Sequence, residues 1–465
     1  PSAKVAYELI FKGYPDLPVT VGAVTGDLET GWYGNKKAVE LARKIYALPN
    51  IEAGTHTHSH PFAWGFFHNT PAAAEIPYLK KYPPRPGKSL AESVWDPEAV
   101  IRGKADYKAK PTKKLEKYYT RPRAYAVKRF DLKDEIIGSI RFLEDKVLPP
   151  GKKVMIVQWS GDTEPWAKAI AMTRAAKVRN INGGDPRMDG DFTSYAWVAP
   201  LARHVDDQWQ VYSSGSNENI YTKGWSQHYA GYRRIVDTFR NTGSPIRVKP
   251  INIYYHFYTA ERSDAFNALR HVIEFARKQD IAPVTTSQFA AMVDGFLKVR
   301  IVRLDKDRWR IENRDGLQTI RFDRATLRAV DFARSKGVIG QRWHQGSLYV
   351  SLDGSVKSPI VATRATDGVA ETPAADRPYL IDSRWSVRGL AWADKAFRFI
   401  AKGFGDGEFR WRVRLPGLYR IVSTTDDGVT ETTTAKTLTN TLVFRVKTND
   451  AKRRRFKVER IGEAS

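Results

Sequence analysis

The stretch Ile51-Glu52-Ala53-Gly54-Thr55-His56-Thr57-His58-Ser59-His60-Pro61 decides how this chain is read. Its first five residues suit a short strand that stops at the first histidine. Three of the nine histidines of the chain then fall within five residues. Histidines four apart on a helical turn share one face, and the imidazoles of His56 and His60 could there grip one metal ion. The competing reading is a polar, histidine-rich turn on the surface.

Strand and helix alternate on both sides of that motif. Upstream, Val5 to Lys12 reads as a helix, Leu17 to Val24 as a valine-rich buried strand, and Asn35 to Leu48 as an amphipathic helix with Ala38, Leu41, Ala42 and Ile45 on one stripe. Because Pro1 leads directly into what reads as the middle of a helix, the chain is expected to continue upstream. Downstream, residues 71–130 are rich in proline, lysine and tyrosine with poor periodicity, and an irregular insertion is expected there. Order resumes with a helix over Asp134 to Val147, a strand over Lys153 to Trp159, a helix over Glu164 to Ala176 and a strand over Val178 to Asn182. Helices at Tyr229 to Asn241, Ala265 to Lys278 and Thr286 to Phe296 follow, with strands at Ile251 to Tyr255 and Pro283 to Thr286 between them. Such alternation over about 300 residues predicts an α/β fold with a parallel sheet or barrel, whose function collects at the carboxyl ends of the strands. His56, His58, His60, Asp162, Asn182, Asp185 and His256 all fall at or just past predicted strand ends.

From about residue 297 the pattern changes. Val299 to Leu304 and Phe409 to Leu415 alternate apolar with basic residues, and similar runs recur to the end, separated by Asp-Gly and Lys-Gly turns. An all-β domain of sandwich type is expected over 297–465.

Composition narrows the function classes. With no cysteine among 465 residues, disulfides, zinc–thiolate sites and thiol nucleophiles are excluded. No apolar run of 18 residues is present, so no membrane-spanning helix is encoded. The formal net charge is +25, which favours polyanions or membrane surfaces as partners. The charge is spread along the chain, with local densities at Lys104 to Lys117, Arg121 to Arg129 and Lys452 to Lys457. A dedicated nucleic-acid module concentrates it, so no nucleic-acid partner is expected.

Beyond the histidine motif, His256 ends the apolar run Asn252 to Tyr255. It suits a general acid able to protonate a leaving amine, or equally a core histidine bonded to backbone. Asp162, in Trp159-Ser160-Gly161-Asp162, could orient that histidine or cap the helix after Glu164. Asp185 closes Asn180-Ile181-Asn182-Gly183-Gly184-Asp185, which is either a turn built for backbone reasons or a rim for sugar hydroxyls. Trp64, Tyr254 and Tyr258 could stack on pyranose faces or pack internally.

His56-Thr57-x-x-His60 resembles the second motif of the polysaccharide deacetylase superfamily (the NodB-homology carbohydrate esterases), and His256 stands where that family ends a strand with its catalytic histidine. A narrower resemblance, over residues 1 to about 296, is to the deacetylase regions of Gram-negative proteins that handle the Pel biofilm polysaccharide. It rests on His56 to Phe62, Asp134 to Ile140, Trp159 to Asp162, Asn180 to Asp185 and Pro250 to Tyr258. The resemblance implies a distorted (β/α) barrel over 1–296 lacking its first strand, with His56 and His60 as metal ligands. His58 occupies a variable position. It further implies a divalent metal, zinc first, an N-acetylhexosamine exopolysaccharide as substrate, a periplasmic setting, and export proteins as partners. The family carries an aspartate pair on its first strand as general base and third ligand. That strand would precede Val5, so the pair lies upstream of residue 1 or is replaced. Asp27 and Glu29 follow the next strand instead. Without such a pair, the same fold would be a catalytically incomplete polysaccharide-binding module.

Overall fold

A computed structural model describes residues 2–82, 121–367 and 376–463. It divides the chain into two units: Pro1–Tyr14 with Val19–Asp280, and Pro15–Pro18 with Ile281–Ser465. The basic run Lys104 to Lys117 and most of the expected insertion lie outside the described residues. On its flanks Ala72–Lys81 forms a 3-10 helix, and residues 121–130 carry no helix.

In the first unit, β1 (Val19–Ala23), β2 (Ile51–Thr55), β3 (Val154–Gln158) and β4 (Arg179–Ile181) form one parallel sheet in that spatial order. Ile51, Ala53, Val154, Ile156, Val157 and Ile181 are buried, as sheet strands covered on both faces require. The crossover from β1 to β2 is the helix Lys36–Ala47, capped by the Asn35 side chain accepting the Ala38 N–H at 2.9 Å and burying Ala42, Ile45 and Tyr46. The crossover from β2 to β3 ends in a π-helical turn, Asp134–Gly138, running into the α-helix Ser139–Lys146. The helix Ala167–Ala175 joins β3 to β4. The register sets Ala23 opposite Thr55, Thr55 opposite Val157, and Gln158 opposite Ile181. The carboxyl ends are therefore level, and the loops leaving them share one edge of the sheet.

The sheet does not close on itself among the described residues. The expected strand at Ile251 to Tyr255 is an extended segment holding one isolated parallel bridge, Tyr254 to Asn217, and residues 283–285 are irregular before the helix Thr286–Lys298 begins. Side chains take the place of a ladder in that segment. Asn252 accepts the Ser214 N–H at 3.2 Å and Glu218 accepts the His256 N–H at 3.0 Å, so backbone groups are satisfied without strand partners. Gly215 permits the approach, because a Cβ there would stand 2.2 Å from the Asn252 carbonyl oxygen. A hairpin the periodicity did not predict, β5 (Ala202–Val205) with β6 (Gln208–Val211), follows β4.

The second unit opens with Thr286–Lys298, fixed by a capping box in which Thr285 and Gln288 exchange bonds. Sheets of four, six and five strands follow, paired antiparallel except for Gly340 with Leu380. Alternation carries the packing: in Gly417–Thr425, Tyr419, Ile421, Ser423 and Thr425 are buried while Arg420 is exposed. One core gathers Phe409, Trp411 and Phe444 from the six-stranded sheet, Phe397, Phe399 and Phe456 from the five-stranded sheet and Trp385 from the bend that joins them, with Phe399 and Phe456 stacked at 4.7 Å. A second core holds Ile311, Val330, Leu348, Val350 and Val361. The protein is thus mixed α/β, a parallel four-stranded sheet followed by antiparallel sheets. No helix among the described residues is long and apolar enough to cross a membrane.

Candidate active site

His56 leaves β2 with its N–H still bonded to Ala23 of β1, at 2.8 Å. The chain beyond it is not the helical turn its spacing suggested. Thr57 and His60 take φ values of 69° and 54°, in the left-handed region. The loop holds this shape because neighbours engage its backbone. Glu135, carried inward by the π-helical turn, accepts the N–H groups of His58 and Ser59 at 2.9 Å each and the Ser59 hydroxyl. The carbonyls of Thr57, His58 and His60 accept from Thr25, Gly26 and Ala124 at 2.8–3.0 Å.

That irregular loop still brings His56 and His60 together, ring centroids 4.8 Å apart and nearly perpendicular. His56 Nδ1 lies 2.8 Å from the Gln158 carbonyl, which only accepts, so the proton sits on Nδ1 and Nε2 keeps its lone pair. His60 Nδ1 is buried with no partner among the described residues. Burial pushes His56 down to about 4, with the His256 charge adding to the effect against the Gln158 bond. Burial, then His56 and His256, hold His60 well below the usual imidazole range. Both rings are neutral at neutral pH, the form in which imidazole binds metal. His58 turns the other way: its Nδ1 meets the Thr25 hydroxyl at 2.8 Å and its ring lies edge-on to Trp32 at 4.2 Å.

His256 joins this sheet edge through Tyr254: the two rings lie 5.6 Å apart, and the Tyr254 hydroxyl accepts from Asn182, which follows β4 and also donates to the Trp159 carbonyl just past β3 at 2.9 Å. Its support is Glu218, which the sequence did not single out. One Glu218 oxygen, Oε1, accepts the His256 N–H, lies 3.0 Å from His256 Nδ1 and accepts the Thr259 hydroxyl, all at 3.0 Å. The other, Oε2, is buried without a partner among the described residues, and Glu218 as a whole is 1% exposed. The His256 ring stacks on Tyr258 at 4.8 Å and 7°. Glu218 opens the four-residue helix Glu218–Tyr221 behind Asn217, in a Ser- and Asn-rich turn that carries no period; only the Asn cap marks it in sequence.

The remaining predicted residues divide. Tyr254 accepts a hydrogen bond from Asn182 Nδ2 at 3.2 Å, and Tyr258 one from Asn219 Nδ2 at 2.7 Å, so both hydroxyls belong to the network around His256. Asp185 ends a run of left-handed residues, Asn182, Gly183 and Gly184; burial raises its carboxyl and the His256 charge lowers it. Asp162 orients the chain instead of His256: it accepts the N–H groups of Trp64 at 3.1 Å and of Glu164 at 3.1 Å. The helix it was expected to cap begins later, behind Trp166. Trp64 is fully buried, edge-on to Trp159 at 5.1 Å with its Nε1 bonded to the Ser160 carbonyl at 3.0 Å, and has no face for a sugar.

Two neutral imidazoles, one with a free lone pair and one with a buried orphan nitrogen, fit as two ligands of a divalent metal. Among the described residues no group of three or more His, Cys, Asp or Glu is placed to hold a metal. No family model matches the chain, and no curated protein matches it.

Proposed function

We propose that this protein is a metal-dependent polysaccharide N-deacetylase acting on an N-acetylhexosamine polymer, of the Pel-like exopolysaccharide class handled during export. The observation that carries the reading is that the His56–His60 pair, bonded to Gln158 at the end of β3, and a carboxylate-supported His256, linked through Tyr254 to Asn182 past β4, belong to one sheet edge. On this reading the parallel sheet is the regular part of a distorted barrel and the antiparallel sheets are a sandwich-type accessory domain.

His56 and His60 would hold a divalent metal, zinc on the chemistry of two imidazoles, which when bound supplies the Lewis acidity that activates water and polarises an acetamide carbonyl. The family resembled takes its third ligand and general base from an aspartate pair, and no described residue of this chain is assigned either role. His256 acts as the general acid. As the amide C–N bond breaks, its Nε2 proton passes to the departing amine, and Glu218 on Nδ1 holds the ring and stabilises its charged form. Tyr254, Tyr258 and Asp185, around that ring, would contact the sugar. The products are acetate and a free amine on the polymer. A second reading, a polysaccharide-binding module without turnover, draws on the lack of a third ligand among the described residues.

Metal content and acetate release from an N-acetylhexosamine oligomer test the assignment. The expected result is about one divalent metal per chain, lost together with acetate release in His56→Ala. His256→Ala should keep the metal and lower turnover by roughly 10²–10⁴-fold. Oligomer binding with neither metal nor acetate would establish the binding-module reading.

A further inference from the structure

The five-stranded sheet of the second unit runs, in spatial order, Ser386–Ala393, Ala396–Lys402, Arg454–Gly462, Gly417–Thr425 and Thr430–Thr437. Its register pairs Ala393 with Ala396, Ala396 with Glu459, Leu418 with Gly462 and Gly417 with Thr437. Four chain segments therefore meet at one end of the sheet: the turn at Asp394 and Lys395, the close of the last strand, and the loops 413–416 and 438–440. They are tied to one another. Arg460 donates from its backbone N to Lys395 and from Nε to Pro416, both at 2.8 Å, while Val413 and Asn440 exchange bonds of 2.8 and 3.1 Å.

This braced end carries three large aliphatic side chains in solvent, Leu415 at 56% exposure, Leu438 at 74% and Ile461 at 39%, and beside them Trp392, 48% exposed with the Arg377 guanidinium over its ring at 4.5 Å. A single exposed leucine is ordinary. Three aliphatic side chains on adjoining, mutually bonded segments are a surface that something covers. Exposed bases stand among them, Lys395, Arg414, Arg420 and Lys436. Among the described residues the acids on these segments are Asp394, paired to Arg414 at 3.2 Å, Glu459, paired to Lys457 at 3.0 Å, and Glu463. The outward face of the same sheet continues the positive charge through Arg398 and Lys402, with Arg455 beyond them paired to Asp426 at 3.6 Å.

Apolar tips ringed by bases complement the boundary of an anionic bilayer, where aliphatic side chains reach the acyl region and Lys or Arg meet lipid phosphates. A nucleic acid would answer the bases and leave Leu415, Leu438 and Ile461 without a partner, since aliphatic side chains offer no stacking surface. We propose that this end of the sheet docks on an anionic phospholipid surface, independently of the chemistry of the first unit.

The test is flotation of the whole protein with phosphatidylcholine vesicles and with vesicles of phosphatidylcholine mixed with phosphatidylglycerol. The protein is expected to rise with the mixed vesicles, not with phosphatidylcholine alone, and to bind less tightly as salt is raised. Leu415→Ser with Leu438→Ser should weaken that binding about tenfold or more, with melting and circular dichroism unchanged because both side chains are more than half exposed. Lys395→Glu with Arg414→Glu should weaken it as well, by an independent route. No flotation with the mixed vesicles overturns the proposal, as does flotation that neither double variant reduces. Tight binding to a DNA duplex that the leucine variant leaves intact, with vesicles ignored, would replace it with a general polyanion surface.

Discussion

At the scale of single residues, the site turns on what each nitrogen and oxygen faces. His56 and His60 were legible in sequence because their chemistry is rare and their spacing short. Glu218 was not, because a carboxylate in a polar turn looks like any other until a histidine 38 residues on is folded against it. Its geometry makes a definite prediction. Replacing Glu218 by glutamine keeps the shape and leaves an acceptor for the Nδ1 proton, but removes the negative charge that favours imidazolium. In the proposed reaction Glu218→Gln should lower turnover by about 10- to 100-fold, the cost of losing a supporting partner. Because the substituted group touches no substrate, KM should stay within about twofold. The split between kcat and melting shows the difference from a merely structural lesion: kcat should fall with the thermal transition held, since the ring keeps its place while its protonated form loses a counter-charge. A thermal transition lowered together with the rate would make Glu218 only a structural support.

At the scale of elements, the reading from periodicity was good where hydrophobic pattern decides and poor where side chains replace the ladder. Val19–Ala23, Ile51–Thr55 and Val154–Gln158 lie within the expected runs, because buried parallel strands carry continuous apolar sequence. Ile251 to Tyr255 has the same apolar look, yet Asn252 and Glu218 bind its neighbours and itself through side chains, which no period records. The histidine loop is the same case: His56-x-x-x-His60 suggests a helical turn, and the loop is set instead by Glu135 from a distant π-helical turn. That dependence can be measured. Glu135→Ala leaves two buried amides and a hydroxyl without an acceptor and should cost roughly 2–5 kcal/mol in denaturant unfolding. The His56–His60 pair should loosen with it, so metal affinity in the folded variant is expected to fall by about 10- to 100-fold. Retention of full affinity would mean that the backbone bonds from Thr25, Gly26, Ala124 and Tyr125 hold the loop without Glu135.

At the scale of the whole molecule, composition placed a change of architecture near residue 297, where period-two alternation begins. The contacts divide the chain between Asp280 and Ile281, and they also assign Pro15–Pro18 to the second unit. Both facts were hidden for one reason: a helix or short segment is allotted by what it packs on, and the amphipathic pattern of Thr286–Lys298 does not name its partner. Gly316 donates to Ala291 of that helix at 3.2 Å, which ties it to the antiparallel sheets. Gly405 in turn sits where a Cβ would come within 3.2 Å of Asp16. The second unit has hydrophobic cores of its own, and the proposed chemistry draws on none of their residues. Phe399, 2% exposed and in contact with Phe397, Phe409, Trp411 and Phe456, is the ring to remove. Phe399→Ala should cost the second unit about 3–5 kcal/mol through lost transfer energy and a cavity that a rigid aromatic cluster fills poorly. If each unit melts on its own, calorimetry will show one transition lowered and the other held, with acetate release unchanged at temperatures below both. A single transition that moves as a whole, carrying the activity with it, would mean that the two units melt together and that the site depends on the antiparallel sheets for its shape.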